Sequence, residues 1–218
     1  MLAAYGVAPA EPCNYSFPIS SWEDFAPVAR DITTVGVSAL ITFVSDLAET
    51  EPTLVGPISS LLAVSARHNS FLLREQGQIP DPQAFDTGVP MLWAYNFALQ
   101  YFVPGSCSLT APLPMLPPLE VQINQTQPQP ASTVNLAWEP ALIPAVIAKE
   151  RPLYAAWVNQ LSGPVYTNIT MEDIGKGYAS IPPFLTGVVY VAITSQQLTE
   201  TSLLEWGSVA GPALIYRV

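Results

Sequence analysis

Two polar side chains interrupt an otherwise apolar helical stripe, and they are the first candidates for chemistry. Leu54, Ile58, Leu61, Ser65, His68 and Leu72 recur at steps of three or four, the spacing of one helix face. Ser65 and His68 are therefore neighbours on that face, and His68 is the only histidine of the chain. It has two readings: a core or rim histidine hydrogen-bonded to a neighbour, as buried polar groups are, or the remnant of a Glu-x-x-His metal motif projecting into a four-helix bundle. A Ser-His-Asp arrangement would have to use His68, with Ser65 as partner only by geometry on one helix face. There is no G-x-S-x-G elbow, no phosphate-binding glycine loop and no Rossmann fingerprint. One histidine and two cysteines cannot make a four-ligand zinc site by themselves, so a mononuclear metal would need carboxylates.

The elements that must position these residues are legible in the spacing. From Trp22 to Leu47 the residues Phe25, Ala29, Ile32, Gly36, Ala39, Phe43 and Leu47 form a bundle-type seam, with Thr33, Val37, Leu40 and Val44 as an adjacent row. Ser20 or Ser21 supplies the cap, and Glu23 and Asp24 favour the first turn. The turn 49–53 leads to a second helix over Leu54 to about Gln76, closed by Gly77 and Pro80, and a third, shorter helix is predicted over Pro90 to Phe102. After Val103 the proline-rich PGSCSLTAPLPMLPPLE reads as a linker, and period-two segments at 119–124, 134–138, 153–159, 188–194 and 212–218 read as strands. The predicted fold is α+β: a helical domain over 1–110, then a small antiparallel sandwich of Ig-like type over 111–218.

Composition removes whole classes of function. The 218 residues leave room for one large domain or two small ones. With 50% hydrophobic and 11% charged residues, against roughly 25% charged in an average protein, the chain cannot be a polyelectrolyte or a disordered tail. Seven basic against 17 acidic residues give a net charge of -10, the wrong sign for holding phosphates, so nucleic acid is not an expected partner. The 23 prolines argue against an all-helical protein. The longest uncharged apolar run, 32–45, is shorter than a membrane span needs, and no membrane span is expected. The N-terminus lacks a basic, apolar signal pattern, so the expectation is a cytoplasmic protein if Met1 is the native start and a secreted one if a leader has been removed.

The segments PCNYSFP, VGVSAL, LLAVSARHNSFLL, FDTGVP and YFVPGSC, in that order, resemble fungal ferritin-like proteins of the stress-response and sexual-development type. The resemblance implies a ferritin-like hairpin, or part of a bundle, followed by a β-rich tail. It also places two family ligand positions: the glutamate before Val-Gly-Val-Ser falls on Thr33, and that of Glu-Ala-Arg-His falls on Ser65, leaving only His68. Hydroxyls cannot replace carboxylates as iron ligands, so no di-iron centre and no other cofactor is expected. The family's first hairpin should precede PCNYSFP and is not in this sequence, and an isologous homodimer completing a four-helix bundle is the simplest remedy. Cys13 and Cys107 lie in two of these segments, either as a disulfide or as two buried thiols. Sequons at Asn14, Asn124 and Asn168 are compatible with secretion.

Two functions are carried forward. In the first, the degenerate site is an apolar pocket acting on a small apolar molecule as a cofactor-independent cyclase or isomerase of a fungal secondary metabolite. Thr33, Ser65 and His68 would be its polar groups, and Phe43, Leu61, Leu72, Trp93, Tyr95 and Tyr101 its walls. Of these, the aromatic set Trp93, Tyr95 and Tyr101 reads more readily as bundle packing than as pocket lining. In the second, the chain is a non-catalytic secreted structural protein associated with stress and development.

Overall fold

The computed structural model describes residues 12–80, 83–106, 113–123, 133–139 and 152–217. Three helices come first: α1 (Trp22–Thr50), α2 (Val55–Glu75) and α3 (Met91–Leu99). The Ser21 hydroxyl accepts from Asp24 N, and Asp24 in turn accepts from both N and Oγ of Ser20. These bonds, those from Ser20 first, hold the Asp24 carboxyl below its ordinary value. At the far end of the hairpin Gly77 takes φ +70, Gly77 N bonds Arg74 O and Gln78 N bonds Leu73 O. This is the left-handed cap that a glycine supplies without steric cost. Pro90 gives α3 no capping side chain, so a carboxylate oxygen of Glu205 takes the Leu92 N–H from outside.

The C-terminal half is a seven-stranded antiparallel sheet of β1 (Leu119–Ile123), β2 (Thr133–Trp138), β3 (Tyr154–Asn159), β4 (Val165–Asp173), β5 (Lys176–Ser180), β6 (Gly187–Thr194) and β7 (Ser208–Arg217), with a short α4 (Leu204–Gly207) before β7. The order is β1-β2-β5-β4-β3-β6-β7. The α+β class is as expected. Where two packed sheets are predicted, however, the ladder is continuous and nearly closed. The reason is β4: its residues Val165 to Asn168 pair with β3, and Ile169 to Asp173 pair with β5. The outer strands then approach each other, and Gly211 N bonds Pro117 O at 2.9 Å. Gly211 sits at an irregularity opposite Ala192 with φ +96, where an added Cβ would meet backbone at 3.3 Å.

Two cores share the central strands. Inside the barrel-like sheet Trp157, Ala155, Val189, Val191 and Ile193 pack with Val134, Leu136 and Ile215. The opposite faces of the same strands, Ala156, Val158, Tyr190 and Ala192, pack with Val35 of α1, Trp93 of α3, Val89 and Leu204. Strands β3 and β6 are thus buried on both sides, which is why their sequences are almost continuously apolar. Trp93 is completely buried, its Nε1 donating to Ser208 Oγ at 2.8 Å. By length and composition α1 could also cross a membrane, but here its inner face lies on β6 and β7.

Candidate functional site

Of the three polar residues that the helices bury, Thr34 and Asn69 lie one position beyond predicted ones, and Ser38 lies a turn beyond Thr34. Thr34 and Ser38, rather than Thr33, face the sheet, and Asn69, rather than His68, faces α1. Ser38 Oγ is 2.8 Å from the Tyr190 hydroxyl. Thr34 Oγ1 lies 3.0 Å from both Asn69 Oδ1 and the Tyr216 hydroxyl, and Tyr216 Oη donates to Asp31 at 3.0 Å. With the Tyr216 proton on Asp31, the single Thr34 proton cannot serve both of its contacts. Turning the Asn69 amide so that its NH₂ donates to Thr34 satisfies all three contacts as one chain ending on the carboxylate. Arg30 completes the cluster, 2.9 Å from Asp31, bonded to Gln76 Oε1 at 2.9 Å, with its Cζ 4.1 Å from the Tyr216 ring centroid. Gln76 Nε2 then donates to Ala26 O and Leu72 O, joining the two ends of the hairpin.

Burial pushes the phenols of Tyr190 and Tyr216 well above their ordinary value; at Tyr190 the Ser38 bond opposes this, and at Tyr216 the Asp31 charge adds to it. An unfolded phenol ionises near pH 10, whereas Tyr190 keeps its proton in the fold. The unfolded state therefore binds fewer protons above that pH, and stability present below about pH 10 is lost as pH rises, by about 1.4 kcal/mol per pH unit from Tyr190 alone. Urea unfolding between pH 8 and 11 is expected to show this slope and Tyr190→Phe to flatten it; an unchanged slope in the variant would refute the assignment.

The sequence-predicted site residues are dispersed. The Thr33 hydroxyl donates to Ala29 O at 2.7 Å, within its own helix. Ser65 is half-buried and His68 exposed on α2, and neither lines the two cavities described below. Phe43 and Leu61 are exposed, Tyr95 is half-buried, and Leu72 and Trp93 belong to the interior. Tyr101 alone of the predicted walls lines a cavity.

That cavity is a groove of about 290 Å³ between α1, α3 and the lead-in before α1. Ile32, Gly36 and Ala39, on the seam predicted to face a bundle partner, form one side, and Ala94 and Ala98 of α3 the other. Aromatics make the wall: Tyr15 stands edge-on to Phe102 at 5.1 Å, and Phe17 lies 5.3 Å from Tyr101. Among the described residues no charged side chain lines it. Desolvation first, and then the Asp31 charge, keep the Tyr101 phenol above its ordinary value and so protonated at neutral pH.

A second cavity of about 140 Å³ lies beyond the C-terminal end of α2, against the ends of β3, β6 and β7. Its polar wall includes Gln83, Asp86, Thr87, Gln160 and Arg217, and its apolar wall Leu73, Ile79, Phe85 and Val188. The buried Thr87 hydroxyl donates to Val188 O and accepts from Gln160 N at 2.7 Å, which pins Gln160 at φ +53.

Among the described residues no group of three or more His, Cys, Asp or Glu is placed to hold a metal ion. Cys13 is disulfide-bonded, and Cys107, the only other cysteine of the chain, lies outside the described residues. Asn14 and Asn168 are exposed, whereas Asn124 also lies outside the described residues. No family model and no curated protein matches the chain.

Proposed function

We propose that the protein binds an apolar small molecule in the groove between α1 and α3. The observation that carries this reading is the groove itself: about 290 Å³, aromatic-walled, floored by small residues and, among the described residues, free of charged side chains. The chemistry such a groove offers is cofactor-independent cyclisation or isomerisation, in which the walls hold a flexible substrate in its reactive conformer. Tyr15 and Tyr101 are then the groups in position to donate a hydrogen bond to it, in place of Thr33, Ser65 and His68. A non-catalytic structural role is the competing reading, and the same groove empty in the isolated protein would favour it.

The finer fold belongs to this proposal. The grouping β1-β2-β5-β4 and β3-β6-β7 parallels the two sheets of a constant-type Ig domain, and Trp157 occupies the strand that carries the buried tryptophan there. The long α1–α2 pair supports a ferritin-like hairpin. Its exposed Trp22, Phe25 and Phe43 on α1 and Leu61, Val64 and Phe71 on α2 favour a second copy of the chain completing the bundle.

Native mass spectrometry of the protein from its own producer reads ligand and copy number together. The expected particle is a dimer carrying a small apolar compound; a bare monomer would overturn both assignments. The groove is located with Gly36→Leu, because a Cβ at Gly36 meets nothing within 4 Å. Nile red affinity is expected to fall about tenfold or more in this variant, while helix stability rises by up to about 1 kcal/mol. Unchanged dye binding would place the ligand elsewhere.

A further inference from the structure

Among the described residues Arg217 is the one cation lining the second cavity, and a single hydrogen bond engages it. Its side chain is 7% exposed, yet among the described residues it has one acceptor, Pro182 O, at 3.3 Å. A guanidinium carries five N–H donors in a planar fork, and a buried charge is ordinarily paired. Desolvation by burial also holds the group below its ordinary value. Asp86 shares the cavity wall, but no neighbouring charge is among the causes of the shift at Arg217.

The rest of the wall is built rather than incidental. Gln160 has the only positive φ of any non-glycine residue described, a conformation that costs of order 1–3 kcal/mol and persists where surrounding contacts impose it. Thr87 imposes it here, and the Gln160 side-chain amide then reaches Gln83 Oε1 at 3.4 Å across the wall. Asn159 fixes the adjacent strand end by donating to Thr186 O and Val188 O. Leu73, Ile79 and Phe85 line the same cavity.

We propose that this cavity is a binding site for a small monocarboxylic acid, with Arg217 taking the carboxylate and Leu73, Ile79 and Phe85 enclosing a short apolar body. A carboxylate matches the planar fork bidentately, and a cavity of about 140 Å³ limits the body to one ring or a short branched chain. The site lies apart from the α1–α3 groove and does not rest on the reading given to that groove.

The test is titration of the full chain with benzoate and with benzamide, its uncharged near-isostere, followed by amide NMR shifts. Benzoate is expected to perturb Gly187, Val188 and Gln160 and to bind at least about tenfold more tightly than benzamide. Arg217→Lys should retain part of the preference and Arg217→Gln should abolish it. Because Arg217→Gln leaves a buried position altered, the exposed Ile79→Asp serves as the second variant; it removes apolar wall from both probes, but its carboxylate should weaken benzoate about tenfold more than it weakens benzamide. Equal binding of the two probes, no benzoate binding at about 10 mM, or an Ile79→Asp variant with an unaltered preference for benzoate over benzamide would each overturn the proposal.

Discussion

Replacing Cys13 with serine is expected to destabilise the protein by about 4 kcal/mol, the loop-closure contribution of a crosslink spanning more than 90 residues. In a chain of this size that lowers Tm by roughly 8–16 °C. The bond does more than restrain the unfolded chain. The lead-in that carries Cys13 lies beside the segment after α3, where Ser16 N bonds Tyr101 O, Val103 N bonds Asn14 O and Asn14 N donates to Ser106 Oγ. Tyr15 and Phe17 ride on that segment and close one wall of the groove. Nile red binding should therefore weaken in Cys13→Ser even at temperatures where the fold persists. Thermal melts with and without reductant check the first effect; a loss under about 1 kcal/mol would mean that backbone pairing and ring packing hold the lead-in unaided.

Trp93→Ala is the second large effect, at about 3–5 kcal/mol, the cost of deleting a fully buried tryptophan whose surroundings relax only in part. Trp93 sits where α3 meets Val35, Tyr190, Ala192 and Leu204, so the cavity opens between the helices and the sheet. Ser208 loses the indole donor but keeps its bond to Leu204 O at 2.7 Å, and the loss is therefore chiefly one of packing. Urea unfolding should show a reduced midpoint, and near-UV circular dichroism a weakened signal with the far-UV spectrum kept. A cost below about 1.5 kcal/mol would mean that the interface closes over the gap.

Helices were readable from the sequence because their punctuation is local: Ser21, Gly77 and Pro90 mark ends that the structure reproduces within a few residues. Strands β4 and β5 were not. Most of β4 is exposed or half-buried, so Val165 to Asp173 carries no clean alternation, and β5 is five residues interrupted by Gly177. That one strand would pair with β3 over its first half and β5 over its second is a tertiary property with no local signature. The site was missed by one residue in each helix. A step from Thr33 to Thr34 or from His68 to Asn69 turns the side chain by about 100°, and periodicity alone does not say which of two adjacent rows meets a sheet. Polar residues at Thr34 and Ser38, four apart in an apolar helix, were the available signal. Arg217 had none: a basic residue near the end of a strand reads as a surface residue until the neighbouring elements cover it.

The near closure of the sheet has a consequence for how these molecules behave together. In an open seven-stranded sheet, β1 and β7 would present unpaired backbone rows to any other chain, a template for intermolecular pairing. Here the two strands face each other, and the Gly211 N–H is already committed to Pro117 O. A concentrated solution of the folded protein should consequently stick, if it sticks at all, through the apolar helical face rather than by strand addition, and additives that shield hydrophobic surface should disperse it.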